Sequence, residues 1–211
     1  MPINKKTVRI VLTGGPCAGK TTALSRVYQF FTDKGYAVYA QPEAATLFNQ
    51  AGVDFLTNNK PLFLESERQL LSFQLHTEAC FCKMAEATGK PTIIVYDRGI
   101  MDNAAYMNSE MWESLLAEMG LDDASARDER YDAVLHLCTT AKGAEDFYTC
   151  ANNNSRTEDI EKAILLDDKM IKAWTGHPRL RIIPNKGTFE DKLNAVIAEI
   201  SAILDDVHLW P

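Results

Sequence analysis

Lys20 and Thr21 close a run whose residue types are those needed to hold a polyphosphate. Gly14-Gly15-Pro16-Cys17-Ala18-Gly19-Lys20-Thr21 satisfies every fixed position of G-x-x-x-x-G-K-[ST]. Gly14 and Gly19 allow backbone angles and close approaches that a Cβ would block. The N–H groups from about Cys17 to Thr21 then point at one place, and a helix N-terminus adds the positive end of its dipole. Lys20 reaches the β- and γ-phosphates, the Thr21 hydroxyl ligates Mg²⁺, and Thr22 is placed to touch the α-phosphate. The competing account is a glycine-rich turn that only joins a strand to a helix.

A second set of candidates follows apolar runs. Thr92 to Tyr96 (TIIVY) ends in Asp97-Arg98-Gly99. An acid at that place can hold Mg²⁺ or take a proton from an attacking hydroxyl, and Arg98 can neutralise phosphate charge. A strand-end ion pair without a ligand is the plainer alternative. Glu43, after Pro42, stands at the end of the run YAVYA, either as a general base or as an acid at a helix N-terminus. Asp102 contacts an acceptor or caps the segment after Gly99. Gln74 reads a base or sugar edge, or is a plain helix-surface glutamine. Arg156 begins a helix behind a polar stretch, where a lid arginine would swing over a transferred phosphoryl group; an exposed surface arginine is the alternative. Lys142 is a weaker lid candidate. Asn185-Lys186-Gly187-Thr188 opens like a guanine-reading NKxD but has Thr for Asp, so Asn185 and Lys186 line an adenine pocket instead, and ATP is favoured over GTP only weakly. His76, His136 and His208 lack metal-ligand spacing and are assigned to packing or surface, and His177 beside Pro178 to a turn.

These residues need a scaffold that brings distant segments to one edge. Val8, Ile10, Val11 and Leu12 form a strand buried on both faces, and Leu24, Val27, Tyr28 and Phe31 recur at helical spacing from about Gly19 to Lys34. Strands are expected at 36–40, 92–96, 133–138 and 180–183. Helices are expected at 44–50, from Pro61 to the stop at Gly89, at 101–119, behind a Ser155/Glu158 capping box with Ile160, Ile164, Ile171 and Trp174 inward, and at 188–204. On the long helix the apolar face comprises Leu62, Phe63, Leu70, Leu71, Phe73, Leu75, Phe81 and Met84. Alternating strands and helices predict an α/β, three-layer P-loop NTPase fold with a five-stranded parallel sheet flanked by helices, nucleoside/nucleotide-kinase-like. Ligands in such sheets bind beyond the strand carboxyl ends. The whole chain, 1–211, is expected to be one nucleotide-binding domain with a lid at about 139–157.

The 211 residues suffice for one large core, and 46% hydrophobic with 24% charged residues is ordinary for a globular chain. A net charge of −7 argues against nucleic acid as a partner. Eight carboxylates between Glu110 and Asp132 account for much of it and are read as a solvated face. No apolar run approaches a membrane span, and no signal or lipidation motif is seen, so a cytoplasmic location is expected. The five cysteines show no CxxC pairing and are read as reduced thiols.

VLTGGPCAGKTT, PEAAT, YDRGIMDNAAYM, RYDAVLHL with GAEDFY, and AWTGHP…IIPN…FEDKL together resemble the NadR-type and TRPL-translocation-defect-like AAA-domain P-loop family. The resemblance spans about Val8 to Ile200. It implies a nucleotide-binding domain built like a nucleoside kinase and related to ribosylnicotinamide kinase domains. More loosely the chain is similar to deoxynucleoside kinases, in which Glu43, Gln74, Asp97, Arg98 and Arg156 would hold corresponding positions. Two functions follow as expectations. One is an ATP- and Mg²⁺-dependent kinase acting on a nucleoside-like small molecule. The other is a regulatory ATP- or GTP-binding protein that acts on a protein or membrane partner.

Overall fold

Apolar runs without polar alternation are satisfied only in a sheet covered on both faces. The computed structural model describes residues 6–143 and 160–211. Its strands are β1 (Thr7–Thr13), β2 (Ala37–Gln41), β3 (Thr92–Asp97), β4 (Ala133–Leu137) and β5 (Leu180–Ile183). They form one sheet in the order β2-β3-β1-β4-β5, and every pairing is parallel. The helices are α1 (Lys20–Asp33), α2 (Ala44–Gln50), α3 (Lys60–Thr88), α4 (Ser109–Glu118), α5 (Ile160–Trp174) and α6 (Phe189–Asp206).

Side-chain alternation along the strands fills two cores. Val8, Ile10, Leu12, Ile93 and Val95 meet Val27 and Phe31 of α1 and Val196 and Ile200 of α6. Val11, Ile94 and Tyr96 face the other way, onto Leu71 of α3, Trp112 of α4 and Trp174 of α5. The five-stranded parallel sheet between helices is the expected architecture.

Three local expectations need revision. The segment 101–119 is not one helix: a 3₁₀ helix (Ile100–Tyr106) comes first, and Asn108 then caps α4 by accepting from Met111 N at 2.9 Å. The buried stripe of α5 is Ala163, Asp167, Met170 and Trp174, with Ile160 exposed. On α3 the inward face includes Glu67, Gln74 and Glu78, while Leu62 and Met84 are exposed. Polar side chains occupy those inward places because most of them meet partners on other elements. The Ser155/Glu158 capping box lies outside the described residues.

Candidate functional site

The glycines of the 14–21 loop are required by their surroundings. Gly14 has φ +139°, and a Cβ there would stand 2.1 Å from the Leu137 carbonyl oxygen. Gly19 has φ +86° and lies under the Phe189 ring, 2.5 Å from a built Cβ. Cys17 also holds a left-handed φ of 54°, so the loop doubles back tightly before α1. Lys20 is buried, and its Nζ donates to the carbonyls of Gly14 at 2.9 Å and Gly15 at 3.1 Å. Thr21 and Thr22 open α1 on its exposed side. Pro16 and Ala18 are buried within the turn.

Asp97 and Arg98 leave the end of β3 beside this loop. Thr21 Oγ1 is 3.4 Å from Asp97 Oδ2. Asp97 Oδ1 is buried and has no hydrogen-bond partner among the described residues. A buried carboxylate oxygen without a donor, next to a helix-terminal hydroxyl, fits a small hard cation that keeps part of its water shell, as Mg²⁺ does. Burial pushes the Asp97 carboxyl up, Lys20 pulls against that, and Glu43 adds to the rise.

Arg98, at φ 72°, is buried and pairs through Nε with Glu43 Oε1. Its Nη1 reaches Met170 Sδ at 3.3 Å and the Gly14 carbonyl at 3.4 Å. Glu43 also accepts from Thr46 Oγ1 at 2.7 Å. Burial alone would raise its carboxyl, but Arg98 and Lys20 outweigh that and hold it at about 2. Lys20, Glu43, Asp97 and Arg98 therefore form one charged cluster at the carboxyl edge of the sheet.

The other expected residues are distributed unevenly. Asp102 is buried, with Oδ1 taking the Thr13 hydroxyl and Trp174 Nε1 and Oδ2 taking Gly99 N, so it braces the turn behind Arg98. Gln74 is buried rather than on the helix surface and accepts from Asn103 Nδ2 at 2.7 Å. Asn185 donates to the carbonyls of Thr139 (2.7 Å) and Lys142 (2.9 Å), holding the segment after β4, while Lys186 is exposed. Arg156 and most of the 139–157 segment lie outside the described residues.

Two residues that support the loop were not singled out from the sequence. Asp167 Oδ1 accepts from Gly15 N at 2.8 Å and Thr139 N at 3.2 Å and meets His136 Nε2 at 3.1 Å; its Oδ2 takes Lys142 Nζ at 2.7 Å. Burial works against its charge, but His136, Lys142 and the Gly15 N–H hold its carboxyl well below the usual range. His136, Cys138 and Asp167 bring possible metal-ligand atoms within 4.8 Å of one another, yet both Asp167 oxygens already have these donors. Lys192 Nζ donates to Ala18 O (2.9 Å), Cys138 O (2.6 Å) and Asn185 Oδ1 (2.8 Å), and burial lowers it to about 8. An acid spaced four residues from Ala163 and seven from Trp174 was the available signal for Asp167. Lys192 had none beyond its place in a helix.

Among the described residues, no helix is long and apolar enough to cross a membrane. A search of curated proteins found no match. Among solved structures, a thymidylate kinase from Ehrlichia chaffeensis is similar over 94% of this chain and 98% of its own, with 18% identity and a TM-score of 0.59. That likeness is one of fold: a P-loop α/β sheet of the nucleotide-kinase type. A family model described as an AAA domain matches residues 9–192, and the chain belongs to that AAA-domain family.

Proposed function

We propose that the protein is a P-loop phosphotransferase that binds ATP with Mg²⁺ and moves the γ-phosphoryl group to a hydroxyl of a nucleoside-like small molecule. The observation that carries this reading is the cluster of Lys20, Asp97, Arg98 and Glu43 beside the glycine loop, at the edge where parallel sheets bind ligands. Gly14, Gly15, Pro16, Cys17, Ala18, Gly19 and Thr22 form the phosphate cradle. Thr21 and Asp97 would hold Mg²⁺, which would supply charge neutralisation for the bound triphosphate. The likeness of VLTGGPCAGKTT and YDRGIMDNAAYM to the NadR-type and TRPL-translocation-defect-like family supports a nucleotide-binding domain built like a nucleoside kinase. GTP could replace ATP at the same loop.

The acceptor oxygen attacks the γ-phosphorus, the bond to the bridging oxygen breaks, and the hydroxyl proton passes to a carboxylate. Asp97, raised by burial, is the stronger base only where no cation sits on it; with Mg²⁺ held there the proton would pass to Glu43. Glu43 becomes basic only when Arg98 turns from it to a phosphate, so Arg98 couples charge neutralisation to proton removal. Gln74 and Asp102 flank the acceptor side, Asn185 and Lys186 the base of the nucleotide, and Arg156 closes from a lid at about 139–157. One domain working in the cytoplasm completes the reading.

The test is labelled ATP offered with a panel of nucleosides, alongside thermal shifts with Mg-ATP. Wild type should yield a phosphorylated acceptor, and Lys20→Ala should lose the Mg-ATP shift, roughly 2.7 kcal/mol at a hundred times Kd. Tight nucleotide binding without product from any acceptor would replace the kinase by a nucleotide-dependent regulator. An unchanged shift in Lys20→Ala would remove the nucleotide site itself.

A further inference from the structure

A helix that covers a sheet normally turns apolar residues inward, yet the centre of α3's inward face is a polar stripe of Glu67, Gln74 and Glu78. Two of these are answered. Glu78 meets Tyr131 Oη at 2.6 Å and Arg130 Nη1 at 2.9 Å, and Gln74 meets Asn103. Glu67 is only 3% exposed, its Oε2 is buried without a hydrogen-bond partner, and it has no ion pair among the described residues.

Its height along the helix is informative. α3 ends at Thr88, just before β3 begins at Thr92, so the helix descends as the strand ascends. Glu67 lies 21 residues before Thr88, about 31 Å up the helix axis at 1.5 Å per residue. The six residues of β3 span only about 20 Å. Glu67 therefore stands up to about 10 Å beyond the strand carboxyl ends, less by whatever tilt α3 has against β3, and two turns above Gln74 on the same face. A second unanswered oxygen lies at that edge. Gln41, the last residue of β2, is buried with no donor for its Oε1, and strand alternation puts it on the side of Tyr39, which faces α3. Gln41 Oε1 is an acceptor, and the Glu67 carboxyl is acceptor-only when ionised. A buried acceptor left without a donor is costly unless a ligand supplies one.

We propose that Glu67 is a binding residue for the phosphoryl acceptor and selects acceptors that present an amino group or other N–H donor, such as an aminopurine or aminopyrimidine nucleoside. This rests on the kinase reading above. Burial, which pushes the Glu67 carboxyl up to about 7, marks a group that gains from a donor arriving with the ligand.

The experiment compares matched acceptors that differ only in the exocyclic amino group: guanosine against inosine, adenosine against purine riboside, and cytidine against its 4-deamino analogue. Binding is followed by calorimetry with a non-hydrolysable Mg-ATP analogue present, and turnover with labelled ATP. At pH 8, where Glu67 is ionised, wild type should in at least one pair prefer the amino member by about 10- to 100-fold, the range of one hydrogen bond to a charged group. Glu67→Leu should erase the preference and Glu67→Gln, which keeps an acceptor oxygen, should retain part of it. A retained Mg-ATP thermal shift certifies each variant as folded, and if Glu67→Leu fails that check Glu67→Gln decides alone by a reduced preference. No amino preference in wild type, or one that survives substitution, overturns the proposal even if kinase activity is present. Amino-selective binding that depends on Glu67 without turnover upholds Glu67 and overturns the kinase reading instead.

Discussion

On the phosphate-loop side of the carboxyl edge, long-range donors and acceptors close most accounts: Asp167 takes four donors, Thr139 Oγ1 bonds Pro16 O at 2.5 Å, and Lys192 spans three acceptors. On the α3 side, Glu67 Oε2 and Gln41 Oε1 are buried without partners among the described residues. The loop's surroundings leave Asp97 Oδ1 open beside Thr21, with an imidazole nitrogen, His136 Nδ1, and a hydroxyl, Thr140 Oγ1, also unanswered. The contrast teaches that the phosphate loop is braced by the protein's own long-range bonds, whereas the oxygens facing α3 are left open, where under the proposal above an acceptor would supply their donors.

The comparison can be broken most forcefully at Asp167. Asp167→Ala leaves His136 and two backbone N–H groups without their acceptor and Lys142 with Asp168 alone, and should cost about 3–5 kcal/mol of stability by urea unfolding at pH 7. A loss below 1 kcal/mol would mean that the cradle does not depend on it. Because the folded carboxyl is held below its unfolded value, the wild-type benefit is present above about pH 4 and is lost on acidification.

Glu67 should behave in the opposite sense. Its folded pKa of about 7 exceeds the model-peptide value of 4.5, so the folded state binds the extra proton and stability falls as pH rises from about 4.5 to 7. Glu67→Gln should therefore be more stable than wild type by about 3 kcal/mol at pH 8 and flatten that slope. Parallel pH profiles for the two proteins would show that Glu67 is solvated after all. The smallest effect serves as a control: Arg26→Ala breaks an exposed ion pair with Glu190 and should change stability by less than about 0.5 kcal/mol.

What could be read from the sequence was what is local. Val8 to Leu12 and Ile93 to Val95 declare central strands by their lack of polar alternation, and the eight loop residues carry their own geometry in two glycines. The placing of Asp97, Arg98 and Glu43 at one edge followed from the order of elements. Asp167 was hidden because its partners Gly15 and His136 are 152 and 31 residues away, and their bonds let a charged residue occupy an inward position. For the same reason the isoleucines at 160, 164 and 171 suggested a stripe displaced from the one that is buried. Gln74 resembled surface until Asn103, from another element, supplied its partner. The break before α4 depends on the Asn108 cap, which the apolar rhythm from Met101 to Met119 runs straight through.

Lys192 and Phe189, which finish the cradle around Ala18 and Gly19, belong to the last helix. A chain emerging from its amino terminus would present the whole glycine motif more than 170 residues before the lysine that braces it, since Lys192 and Ala18 are 174 apart. During synthesis the loop is thus a sequence long before it is a site, and nucleotide cannot help to fold the nascent chain through this contact. The contacts that complete the surroundings of Ala18 and Gly19 form only when α6 docks, so the loop reaches its finished geometry last.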